Sequence, residues 1–245
     1  MLNYSETPNQ FNRTASKSES NCSDCRLAGI CLPISLEVSD IDKLDNIVKR
    51  GRPVHKKEHV YRAGTAFKSV YAVRSGAIKT IKTMPDGAEQ ITGFHLPGEL
   101  IGIDGLASNI HSNSAIALET SAVCEIPFHR FEELSAKIPS LQRRFIQLMG
   151  QEIEEEQQLV MMLSKKSAEE RLSALLLNIS ERHKGRGLSP SEFYLPMSRS
   201  DIGNYLGLTI ETVSRVFSRL AKNKVIELDK KHITILNLNA LSNPE

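Results

Sequence analysis

From about residue 53 to residue 127 the chain runs in short β-type apolar segments broken repeatedly by glycine, among them Gly64, Gly76, Gly93, Gly98, Gly102 and Gly105. Pro85-Asp86-Gly87 stands between the runs Ala77–Thr83 and Glu89–Phe94, the composition of a turn joining two strands. Several short strands at this spacing predict a sandwich or a rolled-up antiparallel barrel. At Phe128 the pattern changes to helix. A short helix through Glu132 and Leu134 should end near Pro139, and a longer one should run from about Ser140 to Leu163. Some 24 residues at helical rise extend roughly 36 Å, more than a small domain needs to cover its own core.

Along that long helix Ile146, Met149, Ile153, Glu156, Val160 and Leu163 recur at alternating spacings of three and four. This is a coiled-coil seam with one acid in it. The helix could pack along its own domain, but Glu154, Glu155 and Glu156 would sit poorly against a monomeric core, which favours a homodimer interface. A third helix, Ala168 to about His183, carries Leu172, Leu175, Leu176 and Ile179 at helical spacing and opens a second domain.

The segment Ser198–Asn223 reads as two helices joined by a tight turn. Ser198 can cap the first, Gly207 supplies the left-handed backbone that ends it, and Thr209 can cap the second. On the second helix Val213, Val216, Phe217 and Leu220 share one face, which must be the buried one. The opposite face carries Glu211, Ser214, Arg215, Ser218 and Arg219. A solvated helix would look broadly similar. The short polar set Glu211, Ser214 and Arg215 lies near the N-terminal end, however, the end of a recognition helix that enters the major groove. Arginine can pair with guanine, glutamate can accept from cytosine, and serine can serve either. Val225–Leu228 and Ile233–Ile235 would add a small β wing. The pattern therefore predicts an α+β chain with a winged helix-turn-helix and double-stranded DNA as its partner.

Length and composition agree with two domains: 245 residues, 40% apolar and 24% charged. The longest apolar runs are too short to span a bilayer, and the first 20 residues, rich in Ser, Asn, Thr and Gln, lack the apolar stretch of a secretory signal. A cytoplasmic protein without membrane contact is expected, with residues 1–21 disordered. The net charge of +2 says little, although Thr209–Lys231 holds six Lys/Arg against three acids. No nucleophile elbow, P-loop or zincin string occurs, so an enzyme is not expected.

The four cysteines carry more. Cys22-x2-Cys25-x5-Cys31 supplies three thiolates from one loop, and Cys124 lies far along the chain in the apolar stretch Ala122–Ile126. In a reducing compartment a cysteine cluster points to metal or redox chemistry. Taken alone, Cys124 reads as a core residue. Four thiolates suit zinc or a 4Fe-4S cluster, and spacing does not choose between them.

With these motifs in place, the chain resembles the FNR/Anr branch of the CRP superfamily, oxygen-sensing regulators of anaerobic gene expression. The likeness rests on Cys22–Cys31, AVRSG at Ala72–Gly76, EQITGFHL at Glu89–Leu96, LETSAVCEIPF at Leu118–Phe128, LSKKSAEERL at Leu163–Leu172 and DIGNYLGLTIETVSR at Asp201–Arg215. It implies a cyclic-nucleotide-binding-like antiparallel β-roll over 22–138 that includes the cluster-binding loop, a dimerisation helix over 139–166 and a DNA-binding domain over 167–245. It further implies that Cys22, Cys25, Cys31 and Cys124 ligate an oxygen-labile 4Fe-4S cluster. The loaded dimer would bind a site like TTGAT-N4-ATCAA, with Glu211, Ser214 and Arg215 at the base-reading positions, Ile153 and Glu156 in the dimer helix, and the loop around Gly87 against RNA polymerase. Arg26, directly after the second cysteine, departs from the small polar residue of the best-known member. A cyclic nucleotide is not expected. Thr92–Pro127 contains no Lys or Arg to meet a cyclic phosphate, and Asn113-Ser114 stands where a nucleotide receptor of the superfamily would place Arg-Ser.

Overall fold

In the computed structural model, which describes residues 21–243, the cysteine loop leads into a 3-10 turn (Leu32–Ser35) and a first helix, α1 (Val38–Asp45). Eight strands follow: β1 (Lys49–Arg50), β2 (His59–Tyr61), β3 (Ser69–Ser75), β4 (Ile78–Thr83), β5 (Glu89–His95), β6 (Leu100–Ile101), β7 (Ser114–Ala117) and β8 (Ala122–Pro127). They form two four-stranded sheets, ordered β1-β8-β3-β6 and β2-β7-β4-β5, with every pairing antiparallel. Two sheets of short strands closing on a shared interior make the expected β-roll. Gly87, at a φ of +83°, takes the left-handed position in the β4–β5 turn, where a Cβ would be strained. The expectation of disorder over residues 1–21 falls, residue 21 apart, outside the described residues.

The helical half begins with α2 (Phe128–Ser135) and the long α3 (Pro139–Lys165). Proline at the start of α3 suits a position whose N–H would be unpaired anyway. At 27 residues this helix exceeds the expected span by one residue at its start and two at its end. Next comes α4 (Ala168–Gly185), whose start is fixed by a capping box between Ser167 and Glu170. Then follow β9 (Glu192–Tyr194), α5 (Arg199–Leu206), α6 (Ile210–Lys222), β10 (Ile226–Asp229), β11 (His232–Ile235) and α7 (Leu238–Ser242). The wing has three strands rather than two, in the order β10-β11-β9.

The apolar core of the C-terminal half does not stop at the interdomain junction. Leu172, Leu176, Ile202, Phe217 and Leu220 belong to the same buried cluster as Ile81, Ile91 and Phe94 of the β4–β5 hairpin. A separate cluster, built from Leu32, Leu44, Ala72, Ile126, Leu141 and Phe145, joins the cysteine loop, the first sheet and the start of α3. No helix among the described residues is long and apolar enough to cross a membrane.

Candidate metal centre and nucleic-acid interface

The cysteine loop lies over the outer sheet, and β8 supplies the fourth thiol from beneath. Cys22, Cys25, Cys31 and Cys124 line one cavity, walled by Leu27, Leu32, Leu44 and Ile126 and by the cationic residues Arg50 and Arg74. Register explains how a distant residue arrives there, because Cys124 is paired with Arg50 of β1 on one side and Ala72 of β3 on the other. The loop is anchored at its start by the Cys22 amide, which donates to Asp45 Oδ1 at 2.8 Å. Arg50 forms an ion pair with Asp45 and reaches to 3.5 Å from Cys22 Sγ. Its Nε is buried and has no hydrogen-bond partner.

Burial governs the thiols. It pushes Cys22 up to about 12, with Asp45 adding to the effect, and Cys31 up to about 11; Cys124 is raised by burial as well. In the free chain these groups are therefore protonated at neutral pH, and a bound metal centre would displace the protons. Among the described residues no three Cys, His, Asp or Glu side chains are gathered tightly enough to hold a single ion. The four thiols share the lining of one cavity.

At the other end of the chain the local rules of helix termination set the geometry. Ser198 and Asp201 form a capping box on α5, Gly207 ends that helix in the left-handed region at a φ of +64°, and the Thr209 side chain accepts from the Thr212 amide at the start of α6. A Cβ at Gly203 would lie 2.6 Å from the Leu208 carbonyl oxygen, so the close approach within this turn needs glycine. Val213, Val216, Phe217 and Leu220 are buried, while Glu211, Ser214, Arg215, Ser218 and Arg219 are exposed on the opposite face. Hydrogen bonds from its own amide and from Thr209 hold the Glu211 carboxyl below the ordinary carboxylate range. The other outward residues have local partners too. Ser214 and Ser218 donate to carbonyls one turn back, and Arg219 pairs with Glu169 of α4 at 2.8 Å. Arg215 touches Thr212 and otherwise projects freely from the first turns.

On α3, Ile146, Ile153 and Val160 are 56%, 56% and 64% exposed, three apolar side chains seven residues apart on one stripe. Glu156 is exposed on the same helix, whereas Met149 and Leu163 are half-covered by their own chain. Gly87 sits exposed at the tip of the β4–β5 hairpin.

Sequence patterns give no hint of the polar links between the two halves. Glu99, just before β6, is gripped by the guanidinium groups of Arg182 in the last turn of α4 and of Arg186 directly after it. These cations hold its carboxyl near 2 despite burial. Lys79 of β4 pairs with Asp201 at 2.6 Å. The Asn204 side chain accepts from the Ile91 amide and donates to the Glu89 carbonyl, so α5 is joined to the hairpin like an extra strand edge. The basic end of α4 resembles an ordinary helix terminus, and only the half-buried acid after Gly98 could have signalled a partner.

Fold and site together define a helix-turn-helix transcription regulator with a cyclic-nucleotide-binding-type sensor domain. The model of the Crp-like helix-turn-helix domain matches residues 170–243, and that of the cyclic nucleotide-binding domain matches residues 52–137. The chain is 50% identical to the transcriptional activator protein FnrA of Stutzerimonas stutzeri, over 92% of each chain. To the transcriptional activator protein Anr of Pseudomonas protegens it is 52% identical over 90% of each. The fumarate and nitrate reduction regulatory protein of Escherichia coli K12 is 48% identical over 91% of this chain and 89% of that one. Among solved structures, FixK2 of Bradyrhizobium japonicum superposes with a TM-score of 0.74 at 29% identity, covering 80% of this chain and 96% of the other. The chain belongs to the FNR/Anr branch of the CRP/FNR family of transcription regulators. It is a DNA-binding regulator and not an enzyme.

Proposed function

We propose that this protein is an oxygen-responsive regulator that binds a TTGAT-N4-ATCAA-like site as a 4Fe-4S-dependent homodimer and controls anaerobic gene expression. The observation that carries the reading is the meeting of four thiols, three from a short loop and one from β8, around a single cavity. The donor set suits the group. Four cysteines are the usual ligands of such a cluster. The two guanidinium groups in the wall and the unpartnered Arg50 Nε–H would countercharge an anionic cluster.

Bound there, the cluster would supply an oxygen-labile cross-link between the loop and the sheet. The protein's own contribution is positional. Cys22, Cys25 and Cys31 hold the loop down on β8, the apolar wall excludes water, and the shared core carries the loop's position to the start of α3. The stripe through Ile146, Ile153 and Val160, flanked by Met149 and Leu163, is the dimer seam. Glu156 sets its sensitivity, because two such carboxylates about 6 Å apart across a seam repel. Glu211, Ser214 and Arg215 read base edges, with Ser218 and Arg219 beside them, and the hairpin tip at Gly87 faces RNA polymerase. A cyclic nucleotide has no place in this scheme, since Thr92–Pro127 offers no Lys or Arg to meet a cyclic phosphate.

The test is anaerobic purification followed by iron and sulfide analysis, visible absorption and sedimentation, before and after air. The expected result is a brown dimer that bleaches to a monomer, with iron lost in Cys124→Ser. A colourless preparation holding zinc, or a Cys124→Ser variant with unchanged iron and oxygen response, would overturn the reading.

A further inference from the structure

The geometry points to Arg144 as the positioning residue that couples the cysteine loop to the long helix. This inference rests on the reading of that loop as the sensor. Arg144 leaves α3 two residues before Ile146, the first position of the exposed stripe. Its Nη2 donates to the Ile30 carbonyl at 2.6 Å and its Nε to the Cys31 carbonyl at 3.3 Å. A planar guanidinium that spans two consecutive carbonyls fixes both the distance and the rotation of the helix relative to the loop, which a flexible ammonium would do less well. The contact falls on the third cysteine and the residue before it, where any change in the loop's seating must appear.

Two further observations place the link on a continuous packed path through the molecule rather than at its surface. The same turns of α3 bury Leu141 and Phe145 in the core against which Cys31 and Cys124 pack, so the helix and two thiols share one apolar floor. In addition, the Ile30 side chain fills the space beside Gly98, where a Cβ would lie 2.5 Å from Ile30 Cδ1. The residue after Gly98 is Glu99, which grips α4. Ile30 is thus held through its carbonyl by the dimer helix and through its side chain against the strut that fixes the DNA-binding half. Arg144 supplies the polar arm of that node. When the loop is seated, Arg144 holds α3 in the rotation that presents Ile146, Ile153 and Val160 to a second copy; when the loop moves, that restraint is released.

The test compares wild-type protein with Arg144→Ala and Arg144→Lys, all purified anaerobically. Arg144→Ala should keep wild-type iron content and visible spectrum while its dimer dissociation constant rises by about 10-fold or more. Arg144→Lys, which keeps the charge but not the planar fork, should lie between the two. An unchanged dimer constant in Arg144→Ala overturns the inference. So does a folded Arg144→Ala protein that loses its iron, since the residue would then hold the loop rather than transmit from it. If the wild-type protein binds no iron at all, the cluster reading fails by itself, and the link is judged on the metal-free chains by hydrogen exchange. Faster exchange in Arg144→Ala at both residues 28–34 and the first two turns of α3 sustains it; identical exchange at either segment sinks it.

Discussion

The two ends of this protein are finished to different degrees. In the DNA-reading end, each helix start is capped, the tight turn has its glycines where the backbone needs them, and the apolar face of α6 is closed. In the cysteine end, burial holds the thiols of Cys22, Cys31 and Cys124 protonated and an arginine Nε–H lies buried without a partner. The first region is complete as an isolated polypeptide; the second reaches completion only with something added. On the proposed reading, the head stays constant and the cysteine loop decides whether two heads are brought together.

That contrast predicts that sensor-side and seam changes act on assembly, while changes in the head act on recognition. The largest effect should come from Glu156→Ala, which removes a cross-seam repulsion of about 2–4 kcal/mol at an effective dielectric near 20. The metal-free protein should then dimerise and bind DNA in air, as sedimentation and gel shift would report; a variant that stays monomeric breaks the seam account. Next is Glu99→Gln. It leaves Arg182 and Arg186 without their countercharge and should cost about 2–3 kcal/mol in urea unfolding. The figure is lower than for a fully dry pair because the Glu99 side chain remains 28% exposed. Unfolding in two separate steps would sharpen the view that this acid joins the halves.

Arg215→Ala should weaken binding to the specific site by about 1–2 kcal/mol and relax preference at one base pair, with dimerisation unchanged. The smallest effect is expected from Glu152 on α3. Burial, reinforced by Glu155 and Glu156, raises its carboxyl to about 7. The folded chain therefore retains a proton that the unfolded chain has lost, so this residue costs stability increasingly from pH 4.5 to 7 and fully above it. Glu152→Gln should raise the melting midpoint by about 2–4 °C at pH 8 and leave it unchanged at pH 4.

Much of the reading head was legible because its determinants are local. Ser198, Gly207 and Thr209 each act within a few residues, and a helix face repeats every turn. Three features escaped for the opposite reason. The wing's third strand, Glu192–Tyr194, is too short to carry a pattern. Arg219 falls on the outward face by periodicity, yet its partner Glu169 lies on another helix. The continuous core between α4–α6 and the β4–β5 hairpin depends on contacts between segments far apart in the chain, which no window along it can reveal. Cys124 is the sharpest case. In its own segment it looks like any apolar strand residue, and only register with Arg50 and Ala72 carries it under the other three cysteines.

Asn204 clasps one end of the β4–β5 hairpin, and the other end of that ribbon is the exposed tip at Gly87. The ribbon therefore works as a rigid pointer mounted on the first helix of the reading head. On the proposed reading of the tip, how the protein lies on an operator would fix where the pointer aims, so a promoter's spacing would be checked by the same body that reads its letters.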